Sequence, residues 1–243
     1  MQSINELISK VERYTNTIVQ REFISRKNTV AYVLLDNKPR VLKWFAPAFK
    51  RNMRNEWFVL RQGSSALNIP HPYEIDSRNN VLIMSYILGE NLCDLINDEK
   101  TTTGEKQRLM ILLADWFAHF HVFFKDDNGF RIRGDSMLRN FIFSDRIWGV
   151  DFEESRVGKP SEDIAGMCSS ILSTDPMFTT EKFQLCEMFI ESYSELVEWE
   201  LEDINDEIAY ALLEKIQWRP EQEKILRRYA RRIQEQGLLV NLL

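Results

Sequence analysis

Near Gly89 the chain changes character, and that change limits its fold more than any other feature. Before it, short β-branched and aromatic runs dominate. Thr29-Val30-Ala31-Tyr32-Val33-Leu34-Leu35 and Arg40-Val41-Leu42-Lys43-Trp44-Phe45 read as two strands around the turn Asp36-Asn37-Lys38-Pro39. Tyr73-Glu74-Ile75 and Val81-Leu82-Ile83-Met84 read as two more, after a loop containing Pro70 and Pro72. Helical spacing before Gly89 is confined to residues 4–13, with Ile4, Leu7, Ile8 and Val11, and to residues 50–62, with Met53, Trp57, Val59 and Leu60. After Gly89, residues 91–97 and 105–124 read as helices, and everything from Asp163 onward is helical apart from breaks near Asp175-Pro176 and Pro220. One hairpin is the sole strand signal in this second part. The expected fold is α+β and two-lobed. Residues 1–88 would form an antiparallel sheet with one main helix, residues 89–243 a mainly helical lobe, and a cleft would lie between them.

That hairpin carries the most informative residues. Phe141-Ile142-Phe143 and Ile147-Trp148-Gly149-Val150 flank the turn Ser144-Asp145-Arg146, with Asn140 at the entrance and Asp151 at the exit. Asp135 stands five positions before Asn140. Phosphoryl transfer from a metal nucleotide needs such a set: one carboxylate to accept the proton of the attacking hydroxyl, and an amide and a second carboxylate to hold magnesium against the phosphates. Upstream, Lys43 sits on a predicted strand and Glu56 on a predicted helix thirteen positions later, an arrangement that fixes a cation against phosphates. Each piece has a bland reading. An Asp–Asn spacing of five recurs by chance, and a lysine on an edge strand is ordinarily solvated. Together and in order, they are specific.

Composition narrows the alternatives. The chain has 243 residues, 44% of them hydrophobic, and a net charge of −6. With a pI of about 5.3, this argues against a dedicated nucleic-acid binder. Cys93, Cys168 and Cys186 are widely spaced and suggest neither a zinc site nor a disulfide framework, only buried reduced thiols. The first residues lack the basic start and apolar core of a signal peptide, and no apolar run approaches the roughly 18 residues of a spanning helix. A cytoplasmic protein is expected.

The motifs resemble those of the protein-kinase-like superfamily, and most of all its aminoglycoside and choline phosphotransferase branch. That branch shows H-G-D-x-x-x-x-N, then I-D-F/W-E, then G-D-P-x-x-D-[IL]-A. The matching text here is Arg133-Gly134-Asp135 to Asn140, Val150-Asp151-Phe152-Glu153, and Gly158-Lys159-Pro160-Ser161-Glu162-Asp163-Ile164-Ala165. Asn68-Ile69-Pro70-His71-Pro72 is similar to the branch's G-I-P-x-P loop, and Leu82 to Leu92 to its hinge. Twelve positions separate Asp151 from Asp163, with none of the longer activation segment of typical protein kinases. The resemblance spans residues 20–172. It implies that Asp135 is the catalytic base, that Asn140 and Asp151 bind Mg²⁺, and that Lys43, braced by Glu56, holds ATP phosphates. Backbone groups of Ser85, Tyr86 and Ile87 would meet the adenine, with Met84 and Tyr86 lining its pocket. The partners implied are a nucleotide and an unidentified hydroxyl acceptor.

Two departures stand out. Arg133 replaces a histidine that mostly braces the catalytic loop; its guanidinium would engage a phosphate or the Asp151 region, and it is counted with Asp135 as catalytic. The phosphate-covering loop, Phe23 to Thr29, contains no glycine to let backbone amides approach a nucleotide. Side chains of Ser25, Arg26, Lys27 and Asn28 would have to make those contacts. Three functions therefore stay open: a small-molecule phosphotransferase, a compact RIO-like Ser/Thr protein kinase, and a pseudokinase serving as a binding module. Among the remaining residues, His119 reads as a core residue, His121 as a contact of the catalytic loop, Ser161 or Asp163 as a helix N-cap, and Asp163 as a structural tie. Arg227, Arg228, Arg231 and Arg232 read as a solvated face, with an anionic-partner site as the alternative; the acidic run Glu195 to Glu207 reads likewise, or as a surface for a cationic acceptor.

Overall fold

A computed structural model describes residues 4–25 and 27–238. The chain divides into two compact units. The first is the N-terminal segment through Leu88 together with Asp151–Glu154; the second is Gly89–Val150 together with the chain from Ser155 onward.

The first unit is built on a five-stranded antiparallel sheet in the order β1-β2-β3-β5-β4. Its strands are β1 (Ile18–Phe23), β2 (Asn28–Leu35), β3 (Lys38–Phe45), β4 (Pro72–Asp76) and β5 (Val81–Met84). Asp36 and Asn37 join β2 to β3, both at positive φ (51° and 58°), and these residue types tolerate the left-handed conformation of a two-residue hairpin. Side chains alternate across the sheet. Ala31, Val33, Leu42, Val81 and Ile83 pack on one face with Ile4 and Leu7 of α1 (Ile4–Lys10) and with Tyr14. Fully burying an Ile or Leu contributes about 1.5–3 kcal/mol, so α1 seals this face. Lys43 points the other way, toward α2 (Lys50–Gly63), whose buried side includes Met53, Glu56, Val59 and Leu60. Because β3 lies between β2 and β5, Lys43 is on the central strand, pairs with Val30 and Leu82, and is 4% exposed. The solvated edge-strand reading of this lysine is therefore wrong.

The second unit is mainly helical. Its elements are β6 (Glu90–Asn91), α3 (Leu92–Asn97), α4 (Thr103–Phe123), β7 (Phe130–Ile132), β8 (Phe141–Phe143), β9 (Ile147–Gly149), β10 (Arg156–Gly158), α5 (Pro160–Leu172), α6 (Thr180–Leu196), α7 (Ile204–Glu214) and α8 (Glu223–Gln236). A capping box opens α4: Thr102 N–H donates to Glu105 at 2.9 Å and Glu105 N–H to the Thr102 hydroxyl at 3.3 Å. Helix α4 is buried on several sides from Leu109 onward, which explains its dense apolar and aromatic content there. The expected hairpin forms as β8 and β9, with Phe141 opposite Gly149. Two pairings lacked a sequence signal: β6 adds to β8, and β7 pairs with β10. These strands are two or three residues long, too short to show alternation.

Local expectations also meet corrections here. His119 is exposed rather than part of the core, with its side chain 69% accessible; it faces away from the Trp116–Phe120 stack. The N-cap of α5 is Lys159, not Ser161 or Asp163: Pro160 takes the first helical position, and Glu162 accepts from the Lys159 N–H at 2.8 Å. On α8, Arg227–Glu223 and Arg231–Glu235 form pairs one turn apart, as a solvated face would. The three cysteines are free and buried. No helix among the described residues is long and apolar enough to cross a membrane.

Candidate functional site

In the first unit the fold gathers three carboxylates around one ammonium. Lys43 Nζ donates to Glu56 Oε2 at 2.7 Å and to Asp151 Oδ1 at 2.7 Å, and Glu153 Oε2 lies 2.9 Å away. An ammonium has three hydrogens, and here each has a carboxylate. Burial would pull the Lys43 pKa down, yet Asp151, Glu56 and Glu153 together raise it well above the ordinary lysine value. In the two glutamates burial wins instead. Burial is the main reason that Glu56 is pushed up to about 7, with Asp151 adding to it and Lys43 opposing it. Glu153 is raised for the same reasons. Oxygen atoms of Glu56, Asp151 and Glu153 lie within 4.8 Å of one another. One ammonium offsets only part of their charge, and an all-oxygen donor set of this kind suits a hard divalent cation.

Asp151 adopts φ 65°, a left-handed conformation that costs a non-glycine residue roughly 1–2 kcal/mol. The next amide, Phe152 N–H, donates to Glu56 Oε1 at 3.3 Å, so the helix carboxylate holds both the lysine and this turn. The glycine-free loop is tied to the same segment. Asn28 Nδ2 donates to Glu153 Oε2 at 2.5 Å, Lys27 pairs with Glu154, and the Ser25 hydroxyl accepts from Asn28 N–H at 3.3 Å. Lys27 thus meets carboxylates where phosphate contacts were expected. Arg26 lies outside the described residues.

The hinge-like stretch is a separate part of the unit. Met84 ends β5 and is 5% exposed. The Ser85 N–H is committed to the His71 carbonyl at 2.9 Å, and the Ser85 hydroxyl accepts from His71 N–H at 2.9 Å. The Ser85 amide is therefore not free to meet a base, which narrows the expected backbone contacts to its carbonyl and the following residues. Tyr86 stacks on Tyr32 of β2, ring centroids 4.1 Å apart. Ile87 follows, half-buried.

In the second unit, Asp135 and Asn140 come together: Asn140 Nδ2 donates to the Asp135 carbonyl at 3.1 Å and to its Oδ2 at 3.3 Å. With the amide nitrogen so engaged, Oδ1 is the atom of the Asn140 side chain that these two bonds do not use. Val150 N–H donates to the Asn140 carbonyl at 2.9 Å, which places Asn140 beside the residue before Asp151 in sequence. Asp163 organises the loop ahead of Asp135. Its carboxylate accepts from Arg133 N–H (2.6 Å), Gly134 N–H (3.0 Å), the Ser136 hydroxyl (2.8 Å) and His121 Nε2 (3.2 Å). Burial opposes its charge, but these partners, His121 first, hold its pKa below the usual carboxylate value. Gly134 has φ 78°, so the glycine of the motif is there for its backbone.

Arg133 differs from the expectation of a phosphate contact. Its side chain is fully buried, its guanidinium stands 4.5 Å from the Phe141 ring centroid, and Nη2 donates to the Val150 carbonyl at 2.7 Å. It touches the Asp151 region through the neighbouring backbone. A buried cation stacked on an aromatic wall braces the loop from behind.

Sequence reasoning missed Glu153 as a partner of Lys43, and expected Asn28 on phosphate where it bonds Glu153. Glu153 was visible as the last residue of the Asp-Phe-Glu motif, but its bond to Lys43 depends on tertiary packing. The His121–Tyr193–Trp199 chain behind Asp163 was half legible: a contact of His121 with the loop was expected, and His121 instead bonds Asp163, which holds the loop (3.2 Å), whereas its bond to the Tyr193 hydroxyl (2.8 Å), which accepts from Trp199 Nε1 (3.2 Å), draws on distant helices.

No family model matches the chain. A curated relative, the KEOPS complex subunit Bud32 of Pyrococcus abyssi (strain GE5 / Orsay), is 25% identical over 104 residues, or 42% of this chain and 44% of that protein. The chain thus matches less than half the length of that relative. Solved structures align over nearly the entire chain. Aminoglycoside phosphotransferase APH(4)-Ia has a TM-score of 0.64 at 12% identity, covering 96% of both chains. The APH(2″)-IIa of a streptomycin–ATP ternary complex has a TM-score of 0.61 at 17% identity, covering 98% of this chain and 94% of that one. At such identities the likeness is one of fold. The chain has the two-lobed protein-kinase-like fold, with an antiparallel sheet of five strands in its N-terminal part and a mostly helical C-terminal part.

Proposed function

We propose that this chain is an ATP- and Mg²⁺-dependent phosphotransferase that moves the γ-phosphoryl group to a hydroxyl of a small molecule. The observation that carries this reading is the buried Lys43 held by Glu56, Asp151 and Glu153. A fold seldom buries a cation among three carboxylates for stability alone, because desolvation offsets most of the attraction. Such groups collect where phosphate charge must be managed. The ATP complex named for one structural neighbour supports the choice of nucleotide.

On this reading residues 1–88 carry the nucleotide-binding elements and residues 89–243 the catalytic loop and the acceptor-binding helices. Lys43 takes the phosphates, and Met84, Ser85, Tyr86 and Ile87 take the base. All three ammonium hydrogens of Lys43 face carboxylates, so one carboxylate must let go before a phosphate oxygen binds. Asp151 is the one that can, being 39% exposed against 1% for Glu56 and 8% for Glu153. Asp151 and the Asn140 Oδ1 offer oxygen ligands to Mg²⁺, which when bound offsets phosphate charge. Asp135 accepts the proton of the acceptor hydroxyl as its oxygen bonds to the γ-phosphorus. The bond from that phosphorus to the bridging oxygen breaks, and ADP leaves with the electron pair. Arg133 and Asp163 hold the loop in place without touching substrate. The short path from Asp151 to α5, with only β10 between, favours a small acceptor over a protein one.

The test is turnover of γ-labelled ATP with and without an acceptor extract. Asp135→Asn should lower transfer by about 10²–10⁴-fold while nucleotide affinity is retained, the range for losing a general base. Unchanged turnover in that variant would overturn the assignment. Labelling of the chain itself, absent in Asp135→Asn, would favour a protein-kinase reading.

A further inference from the structure

Among the donors to Asp163, His121 alone has a hydrogen with two possible seats. Asp163 Oδ2 accepts from Arg133 N–H and from His121 Nε2, and Oδ1 from Gly134 N–H and the Ser136 hydroxyl. An ionised carboxylate only accepts, so the His121 hydrogen must sit on Nε2. In an imidazole that choice is set by the partner of the other nitrogen. Here the partner is the Tyr193 hydroxyl of α6, 2.8 Å from Nδ1, and the same hydroxyl lies 3.2 Å from Trp199 Nε1. An indole N–H only donates. The row therefore has a donor at one end and an acceptor at the other, and one order of hydrogens satisfies every member. Trp199 N–H points to the Tyr193 oxygen, Tyr193 O–H to His121 Nδ1, and His121 Nε2–H to Asp163. With a hydrogen on Nδ1 the Tyr193 oxygen would meet two donors, and its own hydrogen would lack an acceptor, since this hydroxyl makes no other hydrogen bond among the described residues. Tyr193 and His121 are both 0% exposed, so water cannot take that hydrogen. The indole is held at the outer end of the row. Its centroid lies 4.6 Å from that of the Phe130 ring and 5.3 Å from the Lys125 ammonium. Phe130 opens β7, and Arg133 follows the end of the same strand. The row thus runs from one end of β7 to the amide just past the other.

We propose that Tyr193 and Trp199 are positioning residues for Asp135. They keep the His121 hydrogen on Nε2, and through it they keep the Asp163 carboxylate turned toward the Arg133 and Gly134 amides that lead into Asp135. Both act through His121 and Asp163, without touching substrate. The effect on turnover rests on the phosphotransferase reading; the seat of the hydrogen does not. Trp199 is the one aromatic residue of the acidic run Glu195 to Glu207, and its N–H is spent inward on a buried tyrosine.

The experiment is nuclear magnetic resonance on the full ¹⁵N-labelled chain, in which the ring signals of its three histidines report which nitrogen carries hydrogen. His71→Gln and His119→Gln, both at exposed positions, assign the His121 signal by elimination. Wild-type His121 should carry hydrogen on Nε2 alone. A hydrogen on Nδ1, alone or in addition, would overturn the proposal whatever the variants do. Tyr193→Phe should move the Nδ1 signal to that of an unbonded nitrogen. It should also speed hydrogen exchange of the Gly134 amide at least about tenfold, the scale of one lost hydrogen bond. Trp199→Phe lets the hydroxyl hydrogen turn away, so it should move the Nδ1 signal part of the way and speed the exchange less. In the Tyr193→Phe background it should add nothing, because the indole acts only through the hydroxyl. Equal effects of Trp199→Phe in both backgrounds would mean that the ring merely packs, and would overturn its role. If Tyr193→Phe melts early, the wild-type ring signal and Trp199→Phe decide, and an unmoved Nδ1 signal in the latter counts against the proposal. Transfer from γ-labelled ATP should fall in Tyr193→Phe with the KM for ATP unchanged; undiminished transfer alongside faster exchange would show that Asp135 does not depend on the row. A wild-type chain that turns over no ATP fails the broader reading instead, and leaves the ring signals and the exchange to decide this one.

Discussion

Glu56 shows most directly how one buried residue can hold two distant parts of the chain. It bonds Lys43 and the Phe152 amide from a 1% exposed position on α2. Its pKa of about 7 in the folded chain lies above the ordinary value of 4.5. Between those values the folded chain holds a proton that the unfolded chain has released. The contribution of this group to stability is therefore full below pH 4.5 and falls as pH rises toward 7. Urea midpoints of the wild type should decline across that window more steeply than those of Glu56→Gln, which cannot ionise. Glu153, raised in the same direction, leaves some slope in the variant. Parallel curves would show that Glu56 is already ionised at acid pH. Lys43, Glu56, Asp135, Asn140 and Asp151 were legible because their types and order survive without neighbours. The role of Glu153 was not, nor was its bond to Asn28, because that pairing is decided by the fold of residues 125 positions apart in sequence.

At the scale of elements, long helices and well-spaced hairpins could be read from periodicity, and the pieces that position the Asp135 loop could not. The β8–β9 hairpin announced itself through two apolar runs and a polar turn. The β7–β10 pair, three residues on each side, carries too little pattern, yet it sets the path from Glu153 to α5 and so brings Asp163 under the loop. Gly149 on β9 gives a test of this layer. A Cβ there would run into the Trp116 ring and come within 2.9 Å of Arg133 Nη1. Gly149→Ala should therefore destabilise the chain by about 1–3 kcal/mol through overpacking. It should also lower turnover, because Arg133 would shift against the Val150 carbonyl that it supports. Chemical denaturation and a turnover assay on the same preparation check both. A variant as stable as the wild type would show that the aromatic wall can yield, and that Arg133 is not rigidly held.

For the whole molecule, the open matter is whether a nucleotide engages a chain whose phosphate-side loop has no glycine and whose Lys27 and Asn28 already bond Glu154 and Glu153. Those bonds must be exchanged for phosphate contacts, so binding is expected to depend on Lys43 more than on loop amides. Ligand that binds only the folded chain stabilises it by about 2.7 kcal/mol at a hundredfold excess over Kd. For a chain of this size that corresponds to a rise of roughly 5–10 °C in Tm. ATP with Mg²⁺ should produce such a shift in the wild type and in Asp135→Asn, and chelating the metal should reduce it. Lys43→Met should abolish it and should also melt lower without ligand, since three carboxylates then lose their common partner, a loss of about 3–5 kcal/mol for a broken buried pair. A wild-type chain that shows no shift with any nucleotide would instead be a binding module on a kinase-like scaffold, with the Lys43 cluster kept as a structural knot. A shift that survives in Lys43→Met would place the nucleotide on other cations and detach that cluster from phosphate binding.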